Sequence, residues 1–526
     1  MRWFVLLSLR ALLLAGALNV YESAGADERL EVVLVHLPTH GSAEYQVLKD
    51  VSGAQVAAEL PMTRGEAWQI PKDRLDALKK AAAVKGVSVT PLDQTWNHAF
   101  TPMPTDYAMT AGQKSMMTNA MQQAPVMGMT TMTLPSPAVL ENALTKDMNR
   151  NKVEGNARLV LKLDHYVSVT AERTSIREMR DGYAWHGAVE GTDEPVTLMW
   201  WADGRLTGNI TYQGQIYSIR NLGDGLYGIL KLAPKMLPPE HAPMSDRQMR
   251  DMGMKKDPLV QQGDASTLHK GSVKFHNQQD SSEGQRFAAI RPGVISGGHF
   301  SDPATRPEIV ISVLVAFTKS AARFYSDIGR DLIELAIEDA NLSFNNSGLS
   351  NVRLELVHAY ETDYTEAGSH FEHVFAFADL KDGAMDEVHE LRDHYRADVA
   401  ILIVDDPKGC GLAAQIHASP DRAFAVVDQG CTATSYSLAH EIGHLIGARH
   451  DVSLDDNDRP FSYGHGFVHG TEWRTLMGYK ESCGGCPRLP IWSSPTIKIR
   501  GMPAGNVTSN NARVIAEEAA RVAAFR

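Results

Sequence analysis

The chain has 526 residues, 22% of them charged and 43% hydrophobic, which excludes a mainly disordered or collagen-like protein and leaves room for about three folded units. Its net charge of −12 makes nucleic acid a poor partner, because binding it needs a basic face. Four cysteines in a chain this long exclude a disulfide-dense mini-domain.

The N-terminus points to export. Arg2 and Arg10 give a basic start, residues 11–18 form a short apolar core, and Ala24-Gly25-Ala26 is a small-residue site before Asp27. This pattern predicts a secretory signal peptide over 1–26. The apolar run is far shorter than the ~20 residues that span a bilayer, and no later run is long enough, so no membrane span is expected.

Residues 27–152 begin as a small α/β segment. Leu30–Leu37 reads as a strand, Arg74–Ala83 has helical spacing, and Gly86–Leu92 reads as a second strand. Residues 100–150 hold nine of the 21 methionines among Gln, Thr and Pro. A soft-metal or partner site is one reading of that stretch, and a partly helical, flexible connector is the plainer one. Residues 153–235 read as all-β, with runs at Ala157–Leu163, Val196–Trp201, Gly208–Tyr212 and Gln215–Arg220. Asp203-Gly204 and Gln213-Gly214 mark hairpin turns between them. Residues 236–305 are polar and rich in Pro, Gly and Gln, and predict a linker. Arg286, Arg291 and Arg306 there are candidate cleavage points.

From residue 306 the pattern sharpens. Ile309–Phe317 and Asp398–Val404 read as buried strands, Asn351–His358 and Ala423–Asp428 as further strands. Ala321–Asn341 and Met385–Tyr395 have helical spacing. The alternation predicts an α/β unit over 306–526 with a mixed, mostly parallel sheet.

The chemistry sits in Thr434–Asp451, TSYSLAHEIGHLIGARHD. His440 and His444, four apart, lie ~40° apart around a helix and ~6 Å along it, so both rings can face one zinc ion. Glu441, on the adjoining face, can reach a water rather than the metal. His450 would lie ~15 Å further along the same helix, so the helix must stop and turn back. Gly447 is the residue that allows this turn. Three histidines with a fourth position left for water describe an open, catalytic zinc site.

This segment resembles the metzincin metallopeptidase motif, and Asp451 after the third histidine resembles the reprolysin (adamalysin) branch. Arg474–Tyr479, RTLMGY, supplies a Met-turn candidate in Met477. Cys483–Pro495 and the stretch from Asn510 look like secreted bacterial reprolysin-type enzymes, including the peptidyl-Asp metallopeptidases. The β-rich 153–235 segment, more weakly, looks like a reprolysin propeptide.

The resemblance implies a zinc cleft, protein or peptide substrates, and a precursor inhibited by its own propeptide. It also implies that Asp451 orders the turn and that Met477 is a structural floor. Tyr479 becomes a candidate helper at the carbonyl oxygen, with a packed core tyrosine as the plainer reading. Arg488 becomes a candidate for the S1′ pocket, favouring an acidic residue after the cut, with a surface arginine as the plainer reading. Reprolysin propeptides often block zinc with a cysteine. Here Cys410, Cys431, Cys483 and Cys486 all lie in the catalytic part, so latency needs steric blockage or another ligand.

Four cysteines allow three pairings, of which the sequential one is preferred in an exported protein. His417, His465 and His469 are near the motif but surplus to three ligands. The acidic loop Asp455–Asp458 raises calcium, although a solvated charge run explains it better. A thermolysin-like site using Glu472 or Glu481 would leave His450 unexplained. A catalytically silent binding module is the competing function, and the retained Glu441 argues against it.

Overall fold

The computed structural model describes residues 30–36, 43–60, 65–85, 87–92, 100–104, 106–123, 125–134, 141, 158–241 and 307–526. The expected signal peptide and the candidate cleavage points Arg286, Arg291 and Arg306 lie outside them. No helix among the described residues is long and apolar enough to cross a membrane.

The first unit is a four-stranded antiparallel sheet with two helices. Its elements are β1 (Leu30–His36), α1 (Ala43–Ser52), β2 (Gln55–Leu60), β3 (Gly65–Pro71), α2 (Leu75–Val84) and β4 (Ser88–Leu92), with strand order β2-β3-β1-β4. Alternate residues Val33 and Val35 of β1 point inward onto Leu48, Trp68 and Leu78.

The second unit is a curled nine-stranded antiparallel sheet. It takes in β5 (Thr101–Pro102), β6 (Val126–Thr133), β7 (Arg158–Lys162), β8 (Ser168–Met179), β9 (Gly182–Val189), β10 (Pro195–Trp201), β11 (Leu206–Tyr212), β12 (Gln215–Gly223) and β13 (Leu226–Leu232). The order is β5-β6-β13-β12-β11-β10-β9-β8-β7. The turn between β11 and β12 places both Gln213 and Gly214 at positive φ, the geometry that matches strand twist in a two-residue hairpin.

The methionine-rich stretch is not merely a connector. Its α3 (Ala111–Met121) starts at a capping box between Thr110 and Gln113, and β6 pairs along the whole of β13. Methionine is unbranched and carries little strand signal, yet it fills irregular space well, and Met132 is buried in this sheet's core.

The third unit carries the five-stranded sheet β15-β14-β16-β18-β17. It comprises β14 (Ile309–Thr318), β15 (Val352–Thr362), β16 (Val399–Val404), β17 (Gly411–Ala413) and β18 (Phe424–Asp428). All pairings are parallel except that of the edge strand β17 with β18. Strand β16 is buried on both faces, Ile401 and Ile403 against one core and Leu402 and Val404 against the other. Helices α4 (Glu334–Asn346), α7 (Ser437–Ile446) and α8 (Asn511–Val522) pack on the first face, and α5 (His370–Ala378) and α6 (Glu387–Tyr395) on the second. The helical pattern expected over Ala321–Asn341 is interrupted. A short helix ends at Ala322, and a π turn over Gly329–Ile333 precedes α4. The Asp331 carboxylate explains the break, accepting from the Ser326 hydroxyl at 2.8 Å and the Asp327 N–H at 3.2 Å.

The nine-stranded sheet packs on α4. Met199 and Trp201 enter the third unit's core, and His186 and Arg177 both meet the Glu338 carboxylate. The first residues of the span expected to be a linker, 236–241, are ordered against the third unit. Leu237–His241 crosses the third unit as an extended strap, and Lys480 donates to the Pro238 carbonyl at 2.7 Å. Five residues anchored by a two-proline run are too few to stand out from polar surroundings.

Asp339 of α4 is buried, and neither carboxyl oxygen has a well-aligned hydrogen bond, with Thr197 and Asn209 making only weak contacts. Burial raises its pKa to about 7, with Glu338 adding to the rise and Thr197 and Asn209 opposing it. The folded chain therefore holds a proton that the unfolded chain loses above about pH 4. Stability contributed by this site falls as pH rises from about 4 to 7. Melting temperatures taken across that window should drop further for the parent than for Asp339→Asn, and parallel curves would refute the assignment.

Candidate metal centre

Helix α7 carries His440, Glu441 and His444, all buried. The four-residue spacing sets the two rings edge to face, with centroids 4.8 Å apart. Gly447 ends the helix at φ 136°, a conformation that side chains rarely adopt. A Cβ there would also lie 3.0 Å from Phe461 and 3.3 Å from His417. The chain then doubles back. His450 Nε2 comes to 2.8 Å from His444 Nε2 and 3.1 Å from His440 Nε2.

The second ring nitrogen of each helical histidine fixes its tautomer. His440 Nδ1–H donates to Leu476 O at 2.8 Å, and His444 Nδ1–H to Ala448 O at 2.9 Å. A carbonyl only accepts, so both rings turn an unprotonated Nε2 inward. Several lone pairs then face one another, and a shared cation resolves this better than any proton arrangement. A tetrahedral zinc site with ~2.0–2.1 Å bonds has nitrogen–nitrogen edges of ~3.3 Å, against 2.8 and 3.1 Å from His450 Nε2 to its two neighbours here. Burial, with Arg488 next, lowers His440 to about 3. Burial and the neighbouring imidazoles hold His444 and His450 well below the usual range, so the rings are in the neutral, ligating form.

Met477 is fully buried, and its backbone neighbour Leu476 accepts from His440. Asp451 accepts from the Tyr479 N–H at 2.8 Å and the Ser482 hydroxyl at 2.9 Å, and it also bonds Ser453. It thereby ties the His450 segment to the segment after Met477. The Tyr479 ring lies 4.2 Å from that of His450, centroid to centroid.

Glu441 lies beneath the edge strand. A Cβ on Gly411 would stand 2.5 Å from Glu441 Oε1, so only glycine lets β17 pass. Glu441 Oε2 is buried without a hydrogen bond, and burial, with Glu240 next, pushes the carboxyl well above its ordinary range.

Arg488 is buried rather than at the surface. It donates to Ser435 O at 2.7 Å and sits 2.5 Å from Glu240 Oε2. Sequence reasoning missed its companions. Arg474 Nη1 lies 2.7 Å from Glu240 Oε1, and both ends of this pair are buried. Burial alone would raise the Glu240 carboxyl, but Arg488 and Arg474 hold it well below the usual range. Burial and Arg488 bring Arg474 down to about 10. The fourth histidine of the cluster, His241, was missed as well. The available signal was an acid and a histidine directly after Pro238-Pro239.

The remaining candidates fall elsewhere. His417 pairs with Glu518, His465 donates to His450 O, and His469 stacks on Trp473. Glu472 and Glu481 do not join the cluster. Asp455 is held by two guanidinium nitrogens of Arg449 at 2.9 Å each, which takes that carboxylate from the calcium reading. The disulfides are Cys410–Cys431 and Cys483–Cys486, the sequential pairing.

A family model described as metallo-peptidase family M12, of the reprolysin group, matches residues 308–493. Three similar proteins are each named peptidyl-Asp metalloendopeptidase. One from Xanthomonas campestris pv. campestris is 35% identical over 323 residues, covering 61% of this chain and 67% of that one. One from Stenotrophomonas maltophilia is 31% identical over 378 residues, covering 68% and 81%. One from Pseudomonas fragi is 33% identical over 179 residues, covering 34% and 94%.

Packing beneath the centre gives a direct test. A Cβ on Gly443 would lie 2.6 Å from the Trp492 ring and 3.2 Å from Met477 Sδ. Gly443→Ala should destabilise the chain by about 1–3 kcal/mol in urea unfolding, despite alanine's better helix propensity. A neutral or stabilising result would show that the floor yields.

Proposed function

Because the chain belongs to the reprolysin-like metallopeptidases of family M12 and is a zinc metalloendopeptidase, we propose that it is exported as a latent precursor and cuts peptide bonds before acidic residues. His440, His444 and His450 are the zinc ligands in this reading, and Glu441 is the general base and acid. The observation that carries it is the convergence of three Nε2 atoms beside a buried, unpartnered Glu441 oxygen.

Zinc held by His440, His444 and His450 would supply an acidified water and a polarised carbonyl. Glu441 would accept a proton from the attacking water and return it to the leaving amine. Tyr479, against His450, is placed to donate to the carbonyl oxygen as negative charge grows there. Asp451 and Met477 position these groups and do not touch substrate. Arg474 and Arg488 form an acid-binding pocket and select the side chain that follows the cut. The similar proteins named for peptidyl-Asp cleavage support that specificity. Export rests on the sequence of residues 1–26, and latency on the units that precede residue 306. The expected partners are protein or peptide substrates and the chain's own propeptide.

The test compares the processed, zinc-loaded protein with Glu441→Gln on one unfolded protein, mapping new termini by mass spectrometry. The variant should lose about 10²–10⁴-fold in kcat with its zinc content unchanged. Arg474→Met and Arg488→Met should each lower kcat/KM at acidic sites about 10- to 100-fold, and much less elsewhere. Cuts with no bias toward acids would sink the pocket assignment. A parent that cuts nothing would leave the silent binding module in its place.

A further inference from the structure

The strap Leu237–His241 is built into the centre rather than laid over it. It runs along the edge strand β17, where Cys410 N–H donates to Pro239 O at 2.8 Å and Gly411 N–H to Glu240 O at 3.1 Å. Leu237 packs on Cys410 and Cys431. His241 Nδ1–H donates to Gly411 O at 2.8 Å, which repeats the carbonyl contacts of His440 and His444. The His241 Nε2 is thus the unprotonated nitrogen, and it lies 3.3 Å from His450 Nε2. One ring nitrogen from each of His241, His440, His444 and His450 falls within 4.8 Å of all the others.

We propose that His241 is a fourth zinc ligand in the precursor, and that Glu240 fills the arginine pocket in place of a substrate acid. Four nitrogens complete a tetrahedral shell and convert an open site into a closed one. The centre then has no position for water. The strap is gripped as substrate is, by an edge strand and an acid pocket. It presents a ring nitrogen where substrate would present a carbonyl, so it offers no bond to cut. This explains latency without a cysteine, and it rests on the zinc and acid-pocket assignments above. While joined to the sheet, the strap acts at a high effective concentration. Cleavage beyond His241 turns it into a ligand that can leave.

The experiment uses the full-length precursor carrying Glu441→Gln, so that the chain stays whole, with cobalt(II) as the probe. Its visible spectrum should not respond to acetohydroxamate. Adding His241→Ala should change the resting spectrum and let acetohydroxamate shift it at a concentration at least 10-fold lower. Zinc X-ray absorption on the Glu441→Gln precursor needs no strap variant, and it should count four imidazoles. Three imidazoles with one oxygen, or identical cobalt titrations with and without His241, would overturn the inference. Cobalt that binds His444→Ala with unchanged affinity and an unchanged spectrum would instead overturn the zinc-site assignment itself.

Discussion

Imidazole lone pairs that face one another repel unless a cation lies among them, and this constraint organises the third unit. Each inward Nε2 depends on an Nδ1–H held by a carbonyl elsewhere. Leu476 O comes from the segment above Met477, and Ala448 O from the turn that Gly447 permits. Helix α7 alone could not set those rings. It needs the reversal after Gly447, the buried floor of Met477 and Trp492, and the Asp451 carboxylate that joins the two segments. The parallel sheet supplies a rigid base, and β17 at its edge covers Glu441.

A second constraint is the burial of two guanidinium groups side by side. Arg474 and Arg488 donate to backbone carbonyls at Cys486 O, Gly478 O and Ser435 O, while Arg488 Nε is buried without a partner. Carbonyls do not neutralise charge, and isolated buried cations are costly. The Glu240 carboxylate provides that neutralisation, with one oxygen to each arginine. A pocket of this kind favours an acid over any neutral side chain, whichever chain the acid belongs to. Substrate preference and self-inhibition thus have one electrostatic origin in the proposed scheme.

How legible each part was follows from the length of its signal. The three histidines, Glu441 and Gly447 stand at fixed offsets in one short segment, and helix geometry turns those offsets into positions. The strands β14, β16 and β18 were legible because parallel strands buried on both faces are continuous apolar runs. The small segment from residue 30 was half legible, since β1, α2 and β4 carried patterns but α1, β2 and β3 did not. Strand β6 was hidden by methionine, which lacks a strand preference. The strap was hidden for a different reason. Glu240 meets Arg474 across 234 residues, and no local pattern records such a contact. Arg474 lay inside the RTLMGY stretch, but attention to Met477 and Tyr479 left it unassigned.

The position of the strap in the chain fixes a sequence of events during synthesis. His241 lies upstream of His440, His444 and His450, and the nine-stranded sheet that carries it is complete by Leu232. A ribosome therefore finishes the half that carries the strap while the motif helix is still unmade, and N-terminal units fold first. When His450 emerges and the chain reverses at Gly447, the fourth histidine already stands on a folded scaffold. In the proposed scheme, a strap encoded after the peptidase would leave an interval in which the centre stands open. Encoded before it, the proposed fourth ligand meets the centre as the centre forms.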